Sequence, residues 1–216
     1  MQLERMDDFF NARADIYDHH MLVDLELDSF YREIAGRVRL ARDGFRLLDL
    51  GCGTGLELAR LFEKYPGMEV TGIDLSAGML ERLRAKFPGK PMRLIEGSYF
   101  DVDFGGPFDA ALSTYSLHHF AEHEKLGLYR KIHRALTPGG TFVWGDYTVP
   151  SQARQDELMA ERERIRREHG IGRGGLYHLD IPFTAENEAW LMREAGFLSA
   201  ETVRRWENTS ILIAKR

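Results

Sequence analysis

A loop with glycine at every second position follows a short apolar run at residues 47–50. Gly51, Gly53 and Gly55 make up the loop. Glycine lets the backbone turn sharply and lets a ligand lie against bare amides. Apolar residues then recur at three- and four-residue spacing from Leu58, which predicts a helix. A strand, a glycine loop and a helix in this order predict a nucleotide-like cofactor at the carboxyl end of a parallel strand.

The loop differs from a dinucleotide-binding loop in two ways. A dinucleotide loop carries a third glycine where this chain has Leu56, and that glycine lets the helix pack below the pyrophosphate. Asp49 also stands at the mouth of the loop, where a carboxylate repels a pyrophosphate and attracts an ammonium or sulfonium group. The sign of this charge favours S-adenosylmethionine (SAM) over NAD.

Asp74 ends the next predicted strand, where a carboxylate can accept hydrogen bonds from both hydroxyls of a ribose. The alternative role for Asp74, capping the following helix, suits Ser76 better. Asp74 therefore predicts a bound adenosine-like sugar, without separating NAD from SAM.

Strands and helices alternate strictly from residue 45. The predicted strands lie at 45–50, 68–73, 92–96, 108–114 and 141–146. The predicted helices between them lie at 56–65, 76–87 and 122–136. Because the strands are apolar runs rather than polar and apolar alternations, we expect a parallel sheet with helices on both faces.

The two ends of the chain complete this α/β prediction. Two helices are expected within residues 5–40, and a charge-laced helix over 151–169 is expected to have a mainly solvated face. Thr184 should cap a last helix that stops at Gly196, before strands at 198–206 and 209–215 form a hairpin. The predicted fold is a doubly wound, mostly parallel seven-stranded sheet with an antiparallel C-terminal hairpin and an N-terminal helical lid.

Length and composition narrow the class of protein. The chain has 216 residues, a formal net charge of −5 and one cysteine, Cys52. These values predict one domain, no disulfide framework and no broad basic surface for a nucleic acid. No secretory signal or membrane-spanning apolar stretch is evident, so we expect a soluble cytoplasmic protein.

Within that domain we expect four regions. Residues 1–40 would form the helical lid, and 45–146 the cofactor-binding core. Residues 147–183 would form a variable substrate lid, and 184–216 the C-terminal helix and hairpin.

Four separated motifs lie in the core: LDLGCGTG at 48–55, GIDLSAGML at 72–80, FDAALS at 108–113 and LTPGGTF at 136–142. In this order and spacing the chain resembles the class I SAM-dependent methyltransferases of the small-molecule type. The resemblance covers about residues 45–146. It implies SAM as the cofactor, methyl transfer by in-line displacement, and a seventh strand inserted antiparallel beside the sixth.

The resemblance also implies which residues contact the cofactor. Asp49, Gly51 and Gly53 would line the methionine portion and Asp74 would hold the ribose. Leu75 and Met79 would lie near the adenine, and the backbone at Ser113 would close the cleft at the fourth strand. The full predicted cofactor-binding set is Tyr17, Asp49, Gly51, Cys52, Gly53, Asp74, Leu75, Met79, Ser98, Tyr99 and Ser113.

Two members of this set have open roles. Many relatives carry an aspartate at the position of Ser98, which accepts a hydrogen bond from the adenine amino group. Ser98 has no charge and can accept one such bond. Tyr17 resembles the aromatic lid that covers the bound cofactor, but it fits equally well as part of a helix face packed on the sheet.

Polar residues follow the fourth and fifth strands, where a parallel sheet opens. His118, His119 and Asp146 are the candidates for catalysis, and Tyr115 and Tyr147 are candidate acceptor contacts. Because methyl transfer mainly requires positioning of the acceptor and exclusion of water, a general base is optional. A histidine at a loop-to-helix junction also serves often as a cap or packing residue.

A second polar cluster lies at Tyr177, His178 and Asp180. In an extended segment His178 and Asp180 point the same way, which suits acceptor binding or two metal ligands. Two residues are too few to predict a metal, so we expect none and assign His178 as a substrate contact.

Three other functions fit parts of the sequence. An NAD(P)-dependent oxidoreductase would have a similar sheet, but Leu56 and Asp49 disfavour it. A regulator that binds the cofactor without methyl transfer stays open, because displacement chemistry needs no obligatory catalytic residue. An RNA or protein methyltransferase is another open alternative. The cationic residues that could contact RNA are Arg162, Arg164, Arg166, Arg167 and Arg173, but neighbouring glutamates weaken their positive field. We predict a small-molecule acceptor, no nucleic acid or membrane partner, and a monomer or homodimer.

Overall fold

The computed structural model describes residues 3–40, 44–172 and 175–216, and its centre is a seven-stranded sheet. The strand order is β3-β2-β1-β4-β5-β7-β6. The strands are β1 Arg46–Leu50, β2 Glu69–Asp74, β3 Met92–Glu96, β4 Phe108–Thr114, β5 Leu136–Tyr147, β6 Ser199–Arg205 and β7 Thr209–Lys215. Strands β1 to β5 are parallel, and β7 pairs antiparallel with both β5 and β6. The predicted fold class is therefore confirmed.

Helices cover both faces of the sheet. The α-helices are α1 Met6–Asn11, α2 Tyr17–His19, α3 Asp28–Arg37, α4 Leu56–Lys64, α5 Ala77–Lys86, α6 Glu122–Ala135, α7 Gln152–Glu168 and α8 Ala185–Glu194. Neighbouring residues of one strand enter different cores: Leu48 packs with α6 and α8, and Leu47 packs with α3 and α4. This alternation explains why the strands are apolar throughout.

The N-terminal region differs from the two helices that the sequence predicts. It contains α1, α2, a π-helical turn at His20–Asp24 that continues α2, and α3. Glu26, with φ of +53°, lies in a left-handed conformation that a helix does not allow, so the chain bends before α3. These bends bring the N-terminal region over the carboxyl ends of the strands. An uninterrupted helix could not take this path.

Several element ends agree with the sequence. Ser76 Oγ accepts a hydrogen bond from the Met79 amide at 3.1 Å and Thr184 Oγ1 accepts one from Asn187 at 3.2 Å, which confirms both predicted caps. The predicted fifth strand at 141–146 is too short. The observed β5 begins at Leu136, directly after α6, and ends at Tyr147.

Helix α7 has the predicted solvated face apart from two buried polar residues, Gln155 and Arg162. Arg164 forms exposed ion pairs with Glu161 and Glu168. Arg162 is buried instead and donates to Glu124 on α6 at 2.9 Å, so it fixes the helix to the sheet layer. Arg173 lies outside the described residues. Among the helices of the described residues, none has the length and apolarity needed to cross a membrane.

Candidate active site

The glycine loop leaves β1 and turns at the edge formed by the carboxyl ends of the strands. Gly51, Gly53 and Gly55 have φ of +70°, +47° and +74°. A Cβ on Gly51 would lie 2.0 Å from Ser116 Oγ, and one on Gly55 would lie 2.3 Å from a methyl of Leu83. Glycine is therefore required both by the backbone and by the close approach of neighbours.

Asp74 ends β2 beside this loop and holds it in place. Its Oδ2 accepts a hydrogen bond from the Gly53 amide at 2.8 Å, and its Oδ1 accepts one from the Ser76 amide at 2.9 Å. Burial raises the pKa of Asp74 above its usual value, although these hydrogen bonds oppose the shift. Each oxygen keeps a second acceptor position, which a ribose hydroxyl could fill.

A cavity, here called the cofactor cavity, opens against the loop and Asp74. Its lining residues are Met6, Phe10, Tyr17, Gly51, Gly53, Asp74, Leu75, Met79, Tyr99, Thr114, Tyr115, Ser116 and His119. Its volume is about 40 Å³. Met6, Phe10 and Tyr17 of the N-terminal region form part of its wall, so this region would contact a bound cofactor.

Two buried carboxylates lie behind the glycine loop. Asp49 and Glu57 are 0% and 3% exposed, and both Asp49 oxygens and Glu57 Oε1 lack a hydrogen-bond donor. Burial, reinforced by the Glu57 charge, raises the pKa of Asp49 well above its usual range, and burial raises the pKa of Glu57 to about 7. Such a pair suits a cationic group of a ligand.

Glu57 lines a small space at the loop together with Thr54 and Thr114. Sequence reasoning missed it, because a glutamate in the first turn of a helix is expected there for the helix dipole alone. It also missed Asn11, whose Oδ1 accepts from Ser76 Oγ at 2.7 Å and from the Gly78 amide at 3.0 Å. Asn11 therefore joins α1 to the cofactor-binding region.

Four predicted cofactor residues are absent from the walls of the cofactor cavity: Asp49, Cys52, Ser98 and Ser113. Ser113 Oγ donates to the Leu50 carbonyl at 3.0 Å, because its side chain points into the sheet while Thr114 faces the cavity. Ser98 Oγ accepts from the Phe100 amide at 3.2 Å and is absent from the walls of the cavities found in the described residues. Cys52 lines only the small space at the loop, where burial raises the pKa of its thiol.

The imidazole of His118 is oriented by Asp146. Asp146 Oδ1 lies 2.6 Å from His118 Nδ1, and its Oδ2 accepts from the Leu117 and His118 amides at 2.8 and 3.1 Å. Burial opposes the charged form of His118, but Asp146 and then Asp180 outweigh it and raise the pKa of His118 to about 9. Burial raises the pKa of Asp146, but the contact with His118 outweighs it and leaves that pKa lowered.

Asp180 joins both histidines from the loop after α7. Its Oδ1 lies 3.4 Å from His118 Nε2, 3.1 Å from His119 Nδ1 and 3.9 Å from His178 Nε2. Partial burial raises the pKa of Asp180, but the two hydrogen-bonded histidines outweigh it, so its pKa lies well below the usual range. Burial and the neighbouring His118 lower the pKa of His119 to about 4.

A second cavity, here called the acceptor cavity, lies on the far side of His119 and has a volume of about 410 Å³. Its lining residues are Phe9, Phe10, Arg13, Ile16, Tyr17, His20, Met21, Leu25, Tyr115, His118, His119, Tyr147, His178 and Asp180. All three predicted acceptor contacts are in this set, with His178 stacked on Phe9 at 3.6 Å between ring centres. Phe10, Tyr17, Tyr115 and His119 line both cavities.

Comparisons with known proteins agree with this arrangement. A family model described as a methyltransferase domain matches residues 47–140. The chain is 29% identical to carboxy-S-adenosyl-L-methionine synthase of Wolinella succinogenes, over all of this chain and 95% of that protein. It is 34% identical to demethylmenaquinone methyltransferase of Thermus thermophilus, over 65% of each chain.

A solved structure titled the DhpI-SAM-HEP complex has the same fold. It superposes with a TM-score of 0.70 at 17% identity, over 97% of this chain and 94% of that one. The buried carboxylates without donors, the left-handed glycine loop and Asp74 provide groups that fit SAM. The chain therefore contains a methyltransferase domain at residues 47–140, and the groups of its site fit SAM as the cofactor.

Proposed function

We propose that this enzyme transfers the methyl group of SAM to a small molecule bound in the acceptor cavity. The observation that carries the proposal is the wall shared by the two cavities, formed by Phe10, Tyr17, Tyr115 and His119. A group held in one cavity therefore faces a group held in the other. In-line displacement needs this arrangement more than it needs any particular catalytic residue.

The lining of the acceptor cavity indicates the chemical class of its ligand. A volume of about 410 Å³ suits a small molecule. Aromatic side chains, including Phe9 and Tyr147, form much of the wall, while His118, His119 and Asp180 make one end polar. A planar, mainly apolar molecule with one hydroxyl or amino group fits both parts.

Methyl transfer then follows from position. When bound, SAM supplies a methyl group activated by a positive sulfur. A lone pair of the acceptor forms the new bond to carbon, the carbon–sulfur electron pair stays on sulfur, and the acceptor proton passes to the polar end of the cavity or to solvent. Asp146 holds His118 in position at that end, and the aromatic wall excludes water.

The relatives named carboxy-S-adenosyl-L-methionine synthases suggest a second candidate, formation of a carboxylated cofactor. A carboxylate-bearing donor would need a cation in the acceptor cavity. Arg13 is present there, but it already pairs with Glu4 at 3.3 Å. An RNA acceptor is less supported, because Arg162 and Arg164 are held by glutamates.

The test is to incubate the enzyme with methyl-labelled SAM and separate fractions of cell extract. We expect label in the small-molecule fraction. Label confined to RNA or protein would contradict the proposal, as would mass spectrometry that finds carboxylated SAM as the product.

Once an acceptor is identified, Tyr147→Ala tests the cavity itself, because Tyr147 lines the acceptor cavity and not the cofactor cavity. We expect the KM for the acceptor to rise about tenfold while the Kd for SAM stays unchanged. Trp190→Ala is the matched control, since Trp190 is an exposed aromatic residue outside both cavities. Equal KM values in the two variants would place the acceptor elsewhere.

A further inference from the structure

We propose that His118, His119 and Asp180 form a binding site for a first-row divalent cation at the polar end of the acceptor cavity. The sequence alone offered only His178 and Asp180, which are too few for a metal site. The fold adds two buried imidazoles from the loop after β4. Two imidazoles and one carboxylate are a ligand set that suits Zn²⁺, Fe²⁺ or Co²⁺.

Two of the three distances between the donor atoms match those of a metal site. Asp180 Oδ1 lies 3.4 Å from His118 Nε2 and 3.1 Å from His119 Nδ1, and all three atoms lie within 4.8 Å of one another. Ligands bound at about 2.1 Å in a tetrahedral site are about 3.4 Å apart. Both distances to Asp180 therefore already fit a site for one cation.

Asp146 supplies the outer contact that metal-binding histidines usually have. Its Oδ1 lies 2.6 Å from His118 Nδ1, so His118 Nε2 is directed at Asp180. A carboxylate on the far nitrogen fixes the ring orientation and increases the basicity of the metal-binding nitrogen. Asp146 is itself held by three backbone amides, so this orientation is rigid.

The segment that carries Asp180 is also fixed. The Ile181 amide donates to the His118 carbonyl at 2.8 Å, and the His178 amide donates to the Glu4 carbonyl at 3.1 Å. These bonds join the loop after α7 to the loop after β4 and to the N-terminal region. The three donors are therefore positioned by backbone contacts rather than by a chance approach of side chains.

The remaining coordination positions of such a cation would face the acceptor cavity, because all three donors line it. The role of the cation rests on the proposed function. The cation would bind an oxygen or nitrogen of the acceptor and make the proton on that atom more acidic. Cation binding itself needs neither cofactor nor acceptor. It can therefore be measured separately from methyl transfer.

The experiment titrates the full-length protein with Zn²⁺ by calorimetry and with Co²⁺ by visible absorption, in the absence of SAM. We expect one cation per chain at the proposed site, and an affinity at least about tenfold weaker in Asp180→Asn. That variant should fold, because the Asp180 side chain is 52% exposed. His119→Gln should weaken binding in the same way.

Asp24→Asn is the matched control. Asp24 is another exposed aspartate that contacts two histidines, with 3.7 Å to His19 Nε2 and 3.2 Å to His20 Nδ1. We expect no change in affinity for this variant. Absence of cation binding in the wild type, or equal affinity in the wild type and Asp180→Asn, would overturn the proposal. The three groups would then be held together by a proton alone.

Discussion

Gly51→Ala should strongly weaken cofactor binding, while a matched glycine substitution leaves it unchanged. Residue 51 has φ of +70°, and its new Cβ would lie 2.0 Å from Ser116 Oγ and 2.5 Å from Ser116 Cβ. Ser116 lines the cofactor cavity, so relief of the overlap must displace either the loop or that wall. We expect the Kd for SAM to increase at least about 100-fold, or about 2.7 kcal/mol, by calorimetry.

Gly89→Ala is the control for backbone strain. Gly89 has φ of +76°, and a Cβ there meets no atom within 4 Å. This variant should lose about 1 kcal/mol of unfolding free energy and keep the wild-type Kd for SAM. Wild-type affinity in Gly51→Ala would show that the loop does not contact the cofactor. An equal loss in both variants would show that strain alone is responsible.

Glu57→Gln should weaken SAM binding and reduce its dependence on pH. Asp49 and Glu57 are buried without donors, and burial raises the pKa of both, to about 7 for Glu57. A proton held by this pair competes with a cationic group of SAM. Wild-type affinity should therefore fall as the pH is lowered from about 7 to about 5.5, by up to tenfold per unit.

This range lies below the pKa of an α-amino group, about 8, so the ligand keeps its charge. In Glu57→Gln one titrating carboxyl is removed and the amide can donate to Asp49, so the affinity should be about tenfold lower at pH 7 and should depend less on pH below it. Glu63→Gln, on the exposed side of the same helix, should behave as the wild type. Equal pH dependence in wild type and Glu57→Gln would refute the assignment of the pair.

Much of the fold followed from local patterns in the chain. Strands such as 108–114 are apolar because both faces are covered, and the hairpin after Gly196 closes as predicted. The glycine loop and Asp74 were found because their spacing reflects a backbone requirement. Helix caps at Ser76 and Thr184 are local in the same way.

Other features depend on contacts between distant segments, which sequence patterns do not reveal. Glu57 reads as an ordinary first-turn residue until Asp49 is placed behind it. In the sequence Asp180 is an ordinary loop residue. Only the hydrogen bond between the loop after α7 and the His118 carbonyl shows that it lies beside the histidines. Ser113 and Thr114 are neighbours on one strand, and only the folded structure shows that Thr114 lines the cofactor cavity.

The most direct test of the central claim is a crystal structure of the protein with SAM bound. The account predicts ribose hydroxyls on Asp74, the charged amino group near Asp49 and Glu57, and the methyl carbon directed at the wall of Tyr115 and His119. A methyl carbon that points away from the acceptor cavity, or a ribose bound away from Asp74, would contradict it.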